Sequence, residues 1–229
     1  MLKFKHRSTQ LELLDGEHIP FQDIAQNLKE LNTINTLLGG HAITLKGVLN
    51  LAQDQVNTIL EIGCGGGDNL AYIQQKCTKK NLDTSLIGVD LKQECIEYAR
   101  VNRSGIDFIC SDYKKSMLNT KPDIIFSSLF CHHFSNDELV GQLQWMKENS
   151  TIGFFINDIQ RNYIAYYAIK LLTTVFSKSY LVKNDAPLSV ARGFTRNEWK
   201  QLFAQAGITN YTIQWKWAFR YLIVFKHGR

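Results

Sequence analysis

Prolines and methionines are scarce, with three of each in 229 residues, and no low-complexity run is present. Long disordered parts and proline-rich linkers are therefore not expected. The five cysteines (Cys64, Cys77, Cys95, Cys110 and Cys131) never form CxxC and never stand beside a histidine pair at zinc spacing. Free thiols in a reducing cytoplasm follow, and a metal site is not expected. Long apolar runs are also missing. The most apolar window, Tyr163 to Phe176, is 14 residues long and contains Lys170. A bilayer span needs roughly 20 apolar residues. The N-terminus, MLKFKHRSTQLELLD, is basic but has no apolar core behind it, so it does not read as a secretory signal.

A hydrophobic content of 45% with 21% charged residues is that of a soluble globular chain long enough to bury its own core. The length fits one domain, 1–229. The net charge of +5 is uneven: residues 178–229 hold nine basic and two acidic residues. Such a basic end suits a nucleic acid, an acidic substrate or peripheral contact with a membrane, or it is a solvated face.

Residues 9–38 read as helical, because Ile24, Leu28, Leu31, Ile34 and Leu38 recur at steps of three and four before Gly39 and Gly40. A second helix is expected from Thr44 to Ala52. The rhythm then changes. β-rich runs at Thr58–Ile62, Ser85–Asp90, Ile106–Cys110, Asp123–Ser128 and Ile152–Asp158 alternate with helical stretches at Asp68–Cys77, Gln93–Asn102 and Asp137–Glu148. Alternation of this kind specifies crossover units and a parallel sheet covered on both faces. An apolar helix at 163–176 and a basic loop, SKSYLVKNDAPLSVARGF, interrupt the pattern. Thr195 with Glu198 three residues later is a capping box opening the next helix, which Gly207 ends. Two final β runs, ITNYTIQW and FRYLIVFK, read as an antiparallel hairpin.

The first strand runs into LEIGCGGGDNL. In an open parallel sheet the loop after that strand is where a ligand is expected. The dinucleotide fingerprint GxGxxG fails in both registers, since the sixth position is Asp68 or Leu70. A carboxylate at that helix start would also repel a pyrophosphate. No GK[ST] follows, which excludes a P-loop.

The run does read as ExGxGxG (Glu61, Gly63, Gly65, Gly67), followed by Asp90 ending the second strand, Asp112 after the third, and His132-His133 after the fourth. Together these resemble class I S-adenosylmethionine-dependent methyltransferases over roughly Leu60–Phe134. The resemblance implies a Rossmann-like, mostly parallel seven-stranded α/β sheet with a C-terminal antiparallel hairpin. It also implies a helical N-terminal cap (1–52) and a lid insertion after strand 5 (159–194). It places the cofactor against Glu61, Gly63, Cys64, Gly65, Gly67, Asp90, Leu91, Asp112, Tyr113 and Ser128. Asp90 would accept from the ribose hydroxyls, and Asp112 from the adenine amino group with Tyr113 nearby.

The end of the fourth strand also speaks to the acceptor. It lacks the [DN]PP[YFW] of adenine amino methyltransferases, and Cys131 follows Phe130, not the proline of cytosine C5 enzymes. A nucleic-acid substrate is therefore not expected. The chain ends, "ELLDGEHIPFQDIAQNLKELNTINTLLGGH" and "IQRNYIAYYAIKLLTTVF…NDAPLSVARGFTRNEWKQLFAQAGI", resemble small bacterial methyltransferases of phenolic-lipid and aryl-pigment pathways, neighbours of type III polyketide synthases. This implies O-methylation of a hydrophobic, aromatic small molecule. Tyr163, Tyr166, Tyr167, Leu171, Leu172 and Phe176 of the lid could line its pocket. His133 and His132 are the first candidates for general base, and His41, at the helix break, is the second. Arg192 and Lys183 either steer an acidic group or are solvated. C-methylation of a quinone or phenol precursor, a regulatory cofactor-binding protein and, less well, a dehydrogenase are the alternatives.

Overall fold

The computed structural model describes residues 4–228 apart from 17, 53–55, 80–83, 117 and 119. Strand β1 (Thr58–Ile62) pairs in parallel with β2 (Ser85–Asp90) on one side and β4 (Ile124–Ser128) on the other. Strands β3 (Asp107–Cys110) and β5 (Gly153–Ile159) extend the parallel sheet outward from these. Strand β7 (Arg220–Lys226) joins β5 antiparallel, and β6 (Tyr211–Lys216) closes the edge as its hairpin partner. The order β3-β2-β1-β4-β5-β7-β6 reverses direction between β1 and β4, so a crevice opens at their carboxyl ends. The expected α/β sheet is therefore present, with strand bounds within a residue of those read from the sequence except at β6, which starts at Tyr211 where the β run was read from Ile208.

Side-chain alternation along the strands feeds two cores. Leu60, Ile62, Phe154, Ile156 and Ile223 face Trp199, Phe203, Leu143 and Met146, carried by α5 (Asn136–Asn149) and α8 (Arg196–Gln205). Ile59, Ile124, Phe126, Phe155 and Leu222 face the opposite layer. That layer is built from α2 (Gly40–Leu51), α3 (Asp68–Thr78) and α4 (Gln93–Asn102), which contribute Leu51, Leu70, Ile73 and Ile96. Thr195 caps α8 by accepting from the Glu198 amide while the Glu198 carboxylate accepts from the Thr195 amide, as the sequence specifies.

Two expectations are corrected. Helix α1 (Phe21–Leu37) does not begin near residue 9. Pro20 starts it; of the described residues before it, 7–12 form no helix, a 3₁₀ turn spans Leu13–Asp15, and Leu11 stays exposed. The stretch read as a basic loop is helix α7 (Tyr180–Arg192), capped by the Ser179 hydroxyl, with Pro187 inside it. The proline removes one hydrogen bond, to the carbonyl of Lys183, but Lys183 is solvent-exposed and water can satisfy the orphan. Helix α6 (Tyr163–Phe176) precedes it and packs along it. No helix among the described residues is long and apolar enough to cross a membrane.

Candidate active site

The loop after β1 is held by two amides, Gly63 and Cys64, donating to the Val89 carbonyl at 2.8 and 3.1 Å. Gly63, Gly65 and Gly67 all take positive φ (69°, 50° and 72°), which L side chains rarely adopt. A Cβ at Gly63 would lie 2.2 Å from the Phe130 ring, and one at Gly67 would lie 2.6 Å from Phe108. At Gly65 nothing stands nearer than Leu28, at 3.7 Å, so the bare backbone borders open space. The loop thus requires its three spaced glycines for conformation, and a ligand can approach it at Gly65.

Two neighbouring hollows that share Gly63, Asp90 and Leu91 flank this loop. The smaller, about 180 Å³, is lined by Gly63, Asp90, Leu91, Ser111, Asp112 and Tyr113. The larger, about 1140 Å³, runs from Glu61, Gly65 and Asp90 past Ser128 to His132 and His133 and on to α6, α7 and the β6–β7 turn. All the positions expected to hold the cofactor border one or the other except Gly67, which shapes the turn from behind. Cys64 contributes to the wall, although its thiol is packed in the core near Gly88. Tyr113 is buried against Trp145, ring centroids 4.9 Å apart. Ser128 accepts a long hydrogen bond from Asn157 Nδ2, at 3.4 Å.

Glu61 is buried, and its Oε1 accepts from Asn69 Nδ2 at 2.8 Å while Oε2 has no partner. Burial pushes its carboxyl well above the usual range, with Asn69 opposing and Asp68 and Asp90 adding to it. Asp90 is raised by burial too, although its oxygens accept from the Gly65 and Lys92 amides, each at 2.9 Å. Asp68, at the start of α3, borders the larger cavity, and its carboxylate pairs with Arg103.

His132 and His133 lie in a 3₁₀ turn after β4, on the wall of the larger cavity. His132 is buried, and its Nδ1 donates to Asp158 Oδ1 at 2.8 Å. Asp158, at the end of β5, also accepts from the Cys131 and Ile159 amides. Burial pushes its carboxyl up, but His132, the Ile159 amide and His133 outweigh it, so it lies below the usual range. His133 Nδ1 donates to Asp15 Oδ1 at 3.0 Å. Burial lowers the His133 pKa, but Asp15 and Glu12 more than compensate, so the net shift is upward. Both Nε2 atoms turn toward Glu12, at 3.6 Å from His132 and 3.8 Å from His133.

Other expectations move. His41 is neither at the cavity wall nor in a surface turn: it is buried in the first turn of α2. Its Nδ1 donates to Asn69 Oδ1 at 2.8 Å, and Asn69 in turn holds Glu61, so His41 acts on the cavity through Asn69. Arg192 is neither steering nor solvated. It is buried and donates to the carbonyls of His132, Gln10 and His133 at 3.0, 2.6 and 2.8 Å. Lys183 is solvated. Of the six lid residues expected to line the pocket, only Leu172 does; Ala165, Ala168 and Ile169 line it beside Leu172. Tyr163, Tyr167, Leu171 and Phe176 face outward, and Tyr166 packs on Phe4.

The residues that sequence reasoning missed are the carboxylates around the histidine pair (Glu12, Asp15 and Asp158) and Arg220. Arg220 is buried at the cavity wall, and its Nη2 donates to Asn35 while Nη1 has no partner. Burial lowers its pKa to about 10.

Residues 59–149 match a family model described as a methyltransferase domain. The chain is 31% identical over 113 residues to the malonyl-[acyl-carrier protein] O-methyltransferase of Halalkalibacterium halodurans, covering 45% of this chain. It spans about two fifths of the length of the curated relatives it matches. In fold it is similar to the plantazolicin methyltransferase BpumL, solved with S-adenosylhomocysteine and a monoazolic desmethylPZN analog (TM-score 0.66, 18% identity, 90% of each chain). It is also similar to human N-acetylserotonin methyltransferase, solved with S-adenosylmethionine (TM-score 0.63, 14% identity, 92% of this chain and 57% of that one).

Proposed function

We propose that this chain, which matches a methyltransferase domain over residues 59–149 and shares the fold of methyltransferases solved with S-adenosylmethionine or S-adenosylhomocysteine, is a class I S-adenosylmethionine-dependent methyltransferase that O-methylates a hydrophobic phenolic small molecule in the cytoplasm. One observation carries the reading. A single cavity joins the glycine loop, Glu61 and Asp90 to a pair of carboxylate-bound histidines and to an apolar wall from α6 and the β6–β7 turn.

The residues fit the cofactor. The unpartnered Glu61 Oε2 is a buried acceptor suited to an ammonium, and the open side of Gly65 admits a ligand to the backbone. Asp90, between the two hollows, suits vicinal hydroxyls; Asp112, beside Leu91 and Tyr113 in the smaller one, suits an amino group on a flat ring. The cofactor supplies a methyl group on a positive sulfur. The chain's own residues do the rest. The apolar wall (Ala165, Ile169, Leu172, Phe219) takes up the acceptor's ring or chain and keeps water out. The histidine pair faces the acceptor's hydroxyl, and a phenol with a pKa near 10 gains from a base at neutral pH. Asp158 and Asp15 fix each imidazole with Nδ1 protonated and Nε2 toward the cavity cluster, so Nε2 is the atom that receives the proton.

The test is to incubate the purified protein with methyl-labelled S-adenosylmethionine and an extract of its host cells, then partition the label. Label in the organic phase is expected. Label in nucleic acid or protein, or no transfer, contradicts the reading.

A further inference from the structure

Glu12, His132 and His133 each turn one potential ligand atom toward a common point, and these atoms lie within 4.8 Å of one another. The Glu12–His132 and Glu12–His133 separations of 3.6 and 3.8 Å are too long for hydrogen bonds. They suit two ligands of one ion instead. With metal–ligand bonds of about 2.0–2.2 Å, the edges of a tetrahedral site are roughly 3.4 Å. The two imidazole–carboxylate separations, one to each Glu12 oxygen, are close to that edge, and the three ligand atoms lie within 4.8 Å of one another, so the side chains close inward on the ion.

The surroundings are those of a prepared ligand set. Each imidazole gives its other nitrogen to a carboxylate: His132 Nδ1 to Asp158 and His133 Nδ1 to Asp15. That arrangement fixes the tautomer, orients the ring and leaves a lone pair on Nε2. Glu12 is anchored too, its Oε1 accepting from Ser189 Oγ at 2.7 Å. Behind the pair, Arg192 and Arg7 clamp the carbonyls of His132, His133 and Phe134. Glu12 and His132 are almost fully buried, at 6% and 2% exposure, so the donors do not drift in solvent. All three residues border the larger cavity, which leaves the remaining coordination position open to whatever enters it.

We propose that Glu12 Oε, His132 Nε2 and His133 Nε2 bind one divalent transition-metal ion, with an open position facing the acceptor side of the cavity. Two imidazoles and one carboxylate favour the zinc, cobalt and nickel class over magnesium or calcium, which prefer oxygen donors. The proposal deepens the functional reading above and rests on it for what the open position faces. With the ion in place the two Nε2 atoms are ligands, so the ion would take over, as Lewis acid on the acceptor hydroxyl, the activation that the metal-free pair provides as base.

The test uses tag-free, chelator-treated full-length chain titrated with Co²⁺ and followed by visible absorption, with Zn²⁺ followed by calorimetry. One equivalent should bind with a micromolar or tighter Kd and a visible band of tetrahedral or five-coordinate cobalt. Glu12→Gln, which keeps the Ser189 contact, should weaken binding at least 100-fold, and His133→Asn should do the same. Both variants should still bind S-adenosylhomocysteine as the native chain does, which shows that they are folded. No cobalt spectrum from the native chain, or equal binding by Glu12→Gln, overturns the proposal. Methyl transfer by a metal-free chain that binds no cobalt would sink the metal site alone. Metal binding without S-adenosylhomocysteine binding or transfer would sink the methyltransferase reading alone.

Discussion

Glu61 has a folded-state pKa raised well above 4.5, mainly by burial. Its proton is retained in the native state while the unfolded chain releases it above about pH 4.5, so stability falls as pH rises from there toward the native pKa. Glu61→Gln removes this titration and keeps the Asn69 contact. Its stability relative to the native chain should therefore increase between pH 5 and pH 8 in denaturant titrations, and a difference that stays constant over that window would contradict the assignment. The same substitution leaves no carboxylate for the cofactor's ammonium, whose charge would draw the proton off Glu61 on binding. It should weaken S-adenosylhomocysteine binding about tenfold, equivalent to ~1.4 kcal/mol, as expected for a charge-assisted hydrogen bond. Asp158 has the opposite sign, held low by His132 and fully buried. Asp158→Ala strips a buried imidazole and two amides of their partner, which should cost about 3–5 kcal/mol in urea unfolding. A loss below 1 kcal/mol would show that the pair is not formed.

Among the elements, α7 reaches furthest into the site. Its Asp185 accepts from the Leu13 and Leu14 amides at 2.8 and 2.9 Å and so pins the turn that places Glu12 and Asp15 beside the histidines. Asp185→Ala should lower turnover at least fivefold and leave S-adenosylhomocysteine affinity within twofold, because Asp90 is held by the backbone amides of Gly65 and Lys92, and the Lys92 ammonium meets the turn at its backbone carbonyls. Equal losses in both would mean that α7 supports the whole cavity instead. This link could not be read from the sequence. Pro187 and the polar NDAP stretch carry loop signals, and only the Ser179 cap and packing along α6 make the segment helical. The N-terminal carboxylates were illegible for a related reason. Leu11, Leu13 and Leu14 sit in a helix-like spacing, yet the segment forms only a short 3₁₀ turn before Pro20, and the contacts that place Glu12 and Asp15 at the site, to Asp185, Ser189 and His133, are distant in sequence. By contrast the glycine loop, Asp90, Asp112 and the histidine pair were legible, because a parallel sheet fixes where each strand must end.

For the whole molecule, the same logic revises the basic C-terminal quarter. Two of its nine basic residues, Arg192 and Arg220, are buried, one bracing the histidine turn and the other at the cavity wall. The excess charge is thus partly internal and less suited to a nucleic-acid surface than the count alone suggests. A ligand held by both halves of the cavity wall should also stabilise the entire fold. S-adenosylhomocysteine at ~100 times its Kd contributes ~2.7 kcal/mol. For a domain of this size that raises the unfolding midpoint by roughly 5–10 °C. NAD at the same concentration should give no shift, since the loop lacks the dinucleotide pattern.

The central claim is a division of labour within one cavity, with Glu61 and Asp90 on the cofactor and the histidine pair on the acceptor. Calorimetric titration of S-adenosylhomocysteine into the native chain, Asp90→Asn and His133→Ala, with turnover measured on the same samples, tests it most directly. Asp90→Asn should weaken binding at least tenfold; His133→Ala should bind within twofold of the native chain while turning over at least tenfold more slowly. No binding by the native chain, or a His133→Ala variant that loses affinity as Asp90→Asn does, would contradict it.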